Sequence, residues 1–178
     1  MEIIAKLGSG AEGIVYSCYL DGWICAIKEV NVFSDYVPTE IDILSRLPPH
    51  PNIIRYFFHR SDTERTQLFL QQYSCTLLDL IQRRKRSNSP FTPQEILRIL
   101  TDIASGMKFL QQDHSQRLAL SRDFNSALIA GTHPDLKSDN IFVVELANQK
   151  PRFVIGDLGA SKKTISDKAH LASLLLKF

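Results

Sequence analysis

The sequence predicts an α+β fold in two parts: a five-stranded antiparallel sheet with one helix, then a mainly helical part. Three observations predict it. Residues 2 to 30 divide into three runs rich in Ile, Val, Tyr and Cys, and Asp21-Gly22 between the last two is a two-residue hairpin signal. Two more strand-like runs, Ile53 to His59 and Gln67 to Tyr73, follow one short helical stretch. Beyond them, apolar residues recur at helical spacing from Ile96 to Leu110.

At 178 residues, 44% hydrophobic and 22% charged, the chain can bury a sizeable core. A net charge of +2 is too small to make nucleic acid or a membrane surface a bulk partner. No apolar run approaches the roughly 20 residues of a membrane span. The start lacks the basic and apolar regions of a signal peptide. Cys18, Cys25 and Cys75 have neither CxxC spacing nor the density of a disulfide scaffold, so the expectation is reduced thiols in the cytoplasm or the nucleus. Cys18 and Cys25 fall on neighbouring predicted strands, as small core residues lying close together.

In chain order, the first strands are Glu2 to Leu7, Ile14 to Leu20 and Trp23 to Val30. Between the first two lies Gly8-Ser9-Gly10-Ala11-Glu12-Gly13, where bare backbone can bring amide groups to phosphate oxygens; such a run serves equally as a flexible hairpin turn. A strand rather than a helix follows it, which argues against a dinucleotide-binding turn. Lys28 follows the apolar Ala26-Ile27 in the third strand, either as an edge charge facing water or as a phosphate-directed ammonium.

Residues 34 to 47 read as a helix, with Pro38 in its first turn, Ile41, Leu44 and Leu47 on one face, and Glu40 near its positive end. Pro48-Pro49-His50-Pro51 ends it. A short helix is expected from Thr76 into Arg83-Arg84-Lys85-Arg86. That basic run is a localisation signal, a patch for an acidic partner, or a solvated helix end with cations near its C-terminus. Thr92-Pro93-Gln94-Glu95 is a capping box opening a helix that runs to Leu110, with Met107 in its core stripe. Gln111 to Thr132 has weak periodicity and reads as an insertion-like segment in which His114 is a loop residue. Ile141 to Glu145 and Arg152 to Ile155 read as strands, and Ser166 to Phe178 as a helix or a disordered end.

The stretch His133-Pro134-Asp135-Leu136-Lys137-Ser138-Asp139-Asn140 places a carboxylate, an ammonium and a carboxamide in one loop before a strand. That suits handling of a phosphate, its metal and a hydroxyl proton. Further on, Gly156-Asp157-Leu158-Gly159 lets a carboxylate reach into a site while the backbone turns.

As an ordered set, Gly8-x-Gly10-x-x-Gly13-x-Val15, Ala26-x-Lys28, Glu40, His133-x-Asp135-Leu136-Lys137-x-x-Asn140 and Asp157-Leu158-Gly159 resemble the eukaryotic-type protein kinase family. Lys137 gives the loop a serine/threonine-type character. The resemblance implies a kinase-like two-lobe fold, with residues 1–73 as the N-lobe and 74–178 as a partial C-lobe. It implies that Gly8, Ser9, Gly10 and Gly13 cover the ATP phosphates and that Lys28, oriented by Glu40, holds them. Asp135 would take the substrate hydroxyl proton and Lys137 would stabilise the transferred phosphoryl. Asn140 and Asp157 would hold magnesium. Val15, Ala26 and Phe142 would enclose the adenine, with Gln71 as gatekeeper and Gln72 and Tyr73 in the hinge. Leu44, Tyr56, His133 and Leu158 would stack as a spine. The implied partners are ATP and a protein substrate.

The sequence departs from the family pattern in three places. Pro134 stands where an arginine usually reads a phosphorylated activation loop, segment 111–132 precedes the catalytic loop, and nothing in the divergent tail 164–178 resembles an activation segment. An incomplete C-lobe implies an apolar helix face for a covering partner. It also keeps open an alternative: a non-catalytic nucleotide-binding or regulatory module.

Overall fold

The computed structural model describes residues 1–10, 13–31, 37–118, 136–145 and 149–158. They form two compact units, one built from Met1–Pro48 and Ile54–Gln72, the other from Pro49–Ile53 and the described residues from Tyr73 onward.

The first unit is a five-stranded antiparallel sheet in the order β1-β2-β3-β5-β4, made of β1 (Glu2–Gly10), β2 (Gly13–Leu20), β3 (Trp23–Asn31), β4 (Tyr56–Ser61) and β5 (Arg65–Gln71), together with helix α1 (Val37–Arg46). Asp21 and Gly22 turn β2 into β3 with φ of 48° and 94°, the left-handed pair that a two-residue hairpin needs. Register then places Cys18 opposite Cys25. Both are fully buried and form a core with Ile27 and Phe69, covered by Leu20, Trp23 and Phe57. Burial, reinforced by the neighbouring Cys18, pushes the Cys25 thiol up to about 11. Cys25 therefore stays protonated, and both cysteines act as packing groups.

The second unit contains a three-stranded sheet in the order β6-β7-β8, from β6 (Cys75–Thr76), β7 (Ile141–Val144) and β8 (Arg152–Ile155), with helices α2 (Leu77–Arg86) and α3 (Pro93–Leu118). Both helices open with reciprocal capping boxes. The Asp79 N–H donates to Thr76 Oγ1 at 3.1 Å and the Glu95 N–H to Thr92 Oγ1 at 3.2 Å, while each carboxylate accepts from the cap's own N–H. Among the described residues no helix is long and apolar enough to cross a membrane.

Strand β8 organises this unit. Its Phe153 N–H donates to Asp102 Oδ2 of α3 at 2.9 Å, its Phe153 carbonyl accepts from Asn52 Nδ2 at 2.9 Å, and its Ile155 N–H donates to the Asn52 carbonyl at 2.9 Å. Gly106 lets α3 come close: a Cβ there would lie 2.8 Å from the Asn52 carbonyl oxygen and 2.9 Å from Ile155 Cδ1.

Several expectations need correcting. The long helix runs on to Leu118, so Gln111 to Leu118, His114 included, continue α3 instead of opening an insertion. No proline or glycine follows Gly106 in that stretch, and Gln, Lys and Leu are good helix formers, so nothing stops it. The strand expected from Ile53 begins at Tyr56, because Ile53 is drawn into a parallel bridge with Ile155. Cys75 and Thr76 form an unforeseen short strand paired with Val143 and Phe142. The rest of segment 111–132, and the helix expected over 166–178, lie outside the described residues.

Two outcomes follow from the packing. Gly106→Ala gains up to about 1 kcal/mol of helix propensity but overpacks the Asn52 contact, at a cost of about 1–3 kcal/mol, so a net lowering of the urea midpoint is expected. His50 accepts the Asn52 N–H on Nδ1 at 3.1 Å and stacks on Phe109 at 4.4 Å between centroids. Burial holds its pKa below the ordinary histidine value. The unfolded chain therefore binds the proton first, and stability falls as pH drops through the ordinary value, levelling off below the lowered folded one. Urea unfolding across this range should show a shallower pH slope in His50→Phe.

Candidate functional site

In the first unit the glycine-rich hairpin closes with Gly10 opposite Gly13, Ser9 opposite Ile14 and Gly8 opposite Val15. Gly13 has φ of 138°, and a Cβ there would overlap the Glu29 carbonyl oxygen, so only glycine fits. Gly8 and Gly10 face open space. A ligand can approach their backbone.

Val15 is the register partner of Lys28, and Lys28 in turn is the partner of Leu68, so these three share one sheet face. Ala26, 8% exposed, lies on the same face opposite Leu70, itself 5% exposed. An ammonium at that position sits in a largely apolar surround, with 12% of its side chain exposed. It is held by Glu40 of α1, whose side chain is 4% exposed, at 2.8 Å from Nζ to Oε2. Lys28 is therefore no edge charge facing water. At one end of β5 the Gln71 N–H donates to the Arg55 carbonyl at 2.9 Å. Gln72 accepts from the Ser17 hydroxyl at 2.7 Å.

In the second unit Tyr73 stacks on Phe142, with centroids 5.4 Å apart and planes 22° apart. Leu136 and Ser138 are buried and Lys137 between them is exposed, an alternation that turns the ammonium outward. A 3₁₀ turn over Ser138–Asn140 follows, in which the Asn140 N–H donates to the Lys137 carbonyl at 3.0 Å. The Gly156 N–H then donates to the Asn140 carbonyl at 2.8 Å. This bond ties the segment carrying Asn140 to the one carrying Asp157. Asp157 has φ of 56°, a left-handed conformation that costs a non-glycine residue about 1–3 kcal/mol and gathers at functional sites. Leu158 beside it is buried and fixes the turn.

Asn140 and Asp157 supply a carboxamide and a carboxylate oxygen. Among the described residues no cluster of three or more His, Cys, Asp or Glu could hold a metal unaided. An oxygen donor pair of this kind fits magnesium, which takes one or two protein ligands and completes its shell with phosphate oxygens and water. Asp135, with His133 and Pro134 of the same motif and Gly159 beyond Asp157, lies outside the described residues. The spine over Leu44, Tyr56, His133 and Leu158 depends on one of them.

Sequence reasoning passed over Ser17, Asn52, Asp102 and Gly106. Their signals are faint: a small hydroxyl in a strand, an Asn after His-Pro, and an acid and a glycine beside an apolar helix stripe.

The Lys28–Glu40 pair generates a quantitative expectation. Lys28→Met or Glu40→Gln alone leaves a shielded charge without this partner and should cost about 3–5 kcal/mol. The double substitution should cost less than the sum, with a coupling of about 1–3 kcal/mol in urea unfolding. A coupling below about 0.5 kcal/mol would mark the pair as no stronger than an exposed surface pair.

Comparison with known proteins agrees with this geometry. The family model for the protein kinase domain matches residues 1–175. The chain is 30% identical over 172 residues to the sensor for unfolded proteins in the ER ire1 of Schizosaccharomyces pombe, covering 93% of this chain and 15% of that protein. It is 29% identical over 171 residues to the serine/threonine-protein kinase/endoribonuclease ire-1 of Caenorhabditis elegans, covering 93% and 16%. Against the Wee1-like protein kinase 1-B of Xenopus laevis it is 28% identical over 182 residues, covering 88% and 28%. The chain thus spans under a third of the length of each. Motif order, sheet topology and the buried Lys28–Glu40 pair converge with these matches, and the chain belongs to the protein kinase domain family.

Proposed function

We propose that this chain binds Mg-ATP and transfers its γ-phosphoryl group to a serine or threonine hydroxyl of a protein. The observation that carries the reading is the shielded ion pair of Lys28 and Glu40 on the glycine-hairpin sheet. An ammonium held at that place neutralises the α- and β-phosphates, while Gly8, Ser9, Gly10 and Gly13 offer backbone amides. Val15, Ala26 and Phe142 supply apolar contact for the base, and Gln71, Gln72 and Tyr73 its hydrogen-bonding edge. In this reading residues 1–73 act as the nucleotide lobe and 74–178 carry the transfer groups.

Asp135 accepts the acceptor hydroxyl's proton as the oxygen attacks the γ-phosphorus, the bond to the β–γ bridging oxygen breaks, and ADP leaves. Lys137 balances charge on the transferred group. Asn140 and Asp157 hold magnesium, which when bound neutralises phosphate charge. The similarity to a serine/threonine-protein kinase/endoribonuclease supports the choice of acceptor. Free thiols at Cys18, Cys25 and Cys75 support a reducing compartment, the cytoplasm or the nucleus.

Calorimetry with Mg-ATP should detect binding that Lys28→Ala and Asp157→Ala each weaken by tenfold or more, about 1.4 kcal/mol. Asp135→Asn should keep nucleotide affinity within about twofold and lower γ-phosphoryl transfer by about 10²-fold or more. Binding without transfer would identify a nucleotide-dependent regulatory module. A folded chain that binds no Mg-ATP would overturn the proposal.

A further inference from the structure

The basic run at the end of α2 has no part in the nucleotide site, and the connection that follows it, Ser87-Asn88-Ser89-Pro90-Phe91-Thr92, carries three hydroxyls. The structure distinguishes them. Ser87 is the C-cap of α2, and its Oγ donates to the carbonyls of Arg83 and Arg84 at 3.1 Å each. A phosphate there would face the negative end of the helix. Thr92 caps α3 and lies against the Glu95 carboxylate, with Oγ1 to Oε2 at 3.1 Å. A phosphate there would meet a like charge and break the cap.

Ser89 differs. Its Oγ accepts from Arg84 Nη1 at 3.2 Å, while Nη2 of the same guanidinium holds Glu95 Oε1 at 2.6 Å and its face lies 5.2 Å from the Phe91 ring centroid. Ser89 precedes Pro90, which disfavours the helical region for it, and its N–H donates to the Arg84 carbonyl at 3.0 Å, which holds it beside the end of α2. It lines a groove of about 910 Å³ together with Arg83, Arg84, Arg98 and Lys150. The carboxylates of that groove are already engaged, Glu145 with Arg83, Glu95 with Arg84, and Asp102 with the Phe153 N–H. Among the described residues no carboxylate is paired with Arg98 or Lys150.

We infer that Ser89 is a phosphorylation site whose phosphate is read by Arg84 and locks the connection between α2 and α3. The co-reactant is ATP on a serine kinase. Ser89 Oγ bonds to the γ-phosphorus, the bond to the β–γ bridging oxygen breaks, ADP leaves, and the hydroxyl proton passes to the modifying enzyme's base. The product places a charge of about −2 beside the α2 cations and ahead of the positive end of α3. The hydrogen bond from the Arg84 guanidinium to a neutral hydroxyl is replaced by one between a guanidinium and a phosphate, with both partners ionised. Arg86 and Arg84 lie three and five residues before Ser89 and Pro90 lies one after, so two kinase types, basic-directed and proline-directed, supply the same chemistry.

The test uses the full chain in three arms: Mg-ATP alone, with the catalytic subunit of cyclic-AMP-dependent kinase, and with a cyclin-dependent kinase. Mass spectrometry should place the phosphate on Ser89 in at least one arm, which identifies the source, and Ser89→Ala should remove it. Phosphoserine installed at position 89 should raise the melting temperature by about 2–4 °C. The rise should shrink at about 1 M salt. It should vanish in Arg84→Gln and be partly kept in Arg84→Lys, which also serves if the Gln variant fails to fold. Phosphate on Ser87 alone, no phosphate in any arm, or a phosphoserine that leaves the melting temperature unchanged in the parent would overturn the inference.

Discussion

One constraint orders the first unit: an ammonium on a middle strand, mostly withdrawn from water, has to be met by a carboxylate. Lys28 lies on the face shared with Val15 and Leu68, where an unpaired charge would cost several kcal/mol. Glu40 meets it only when α1 docks on that face, so the pair couples helix position to sheet register. A slip of β3 by one residue would turn Lys28 into the packed side with Cys18 and Phe69 and carry Cys25 and Ile27 out of it. The Asp21-Gly22 turn, which fixes the β2–β3 register, therefore also sets where the ammonium points.

The second unit is ordered by backbone satisfaction. Strand β8 is flanked on one side by β7 only, and its remaining polar groups are met by side chains and loop carbonyls instead of another strand: Asp102 from α3, and Asn52 from the His-Pro-Asn turn. Buried backbone groups need such partners. The outcome is that the residues leading to Asp157 are held from two directions, and Gly156 is tied in addition to Asn140. The backbone that carries Asp157 in its left-handed conformation is thereby fixed by its neighbours.

The contact of Lys28 with Glu40 is legible only through the family resemblance, since by themselves the lysine reads as an edge charge and the acid as a residue favoured by the helix dipole. The capping box at Thr92 and Glu95 and the hairpin at Asp21-Gly22 are legible from the residues themselves, since each rests on residues a few positions apart. Asn52 binding to Phe153 is different: the partners lie 101 residues apart, and Asn after a proline reads locally as a turn former and nothing more. Gly106 is opaque for the opposite reason, because in a helix it reads as a propensity defect and its use is visible only against the Asn52 carbonyl. The end of α3 is missed since weak amphipathicity is no stop signal, and a helix can run on where propensity alone favours it.

What makes these features evidence for a ligand site, and not only for a fold, is that packing does not require them. Replacing a shielded ion pair with apolar residues of similar volume is often neutral or stabilising, by up to about 4 kcal/mol. A sheet whose neighbouring core already contains Ile27, Phe69, Leu68 and Leu70 has no need of an ammonium in its midst. Asp157 could relax its left-handed strain as glycine, and Gly8 and Gly10 have room for side chains that would stiffen the hairpin. Each choice lowers stability locally, and each leaves a cation, a carboxylate or bare amides positioned to meet charge from outside the chain. In the first unit the ammonium and the bare amides belong to one sheet, and a polyanion's phosphates need both.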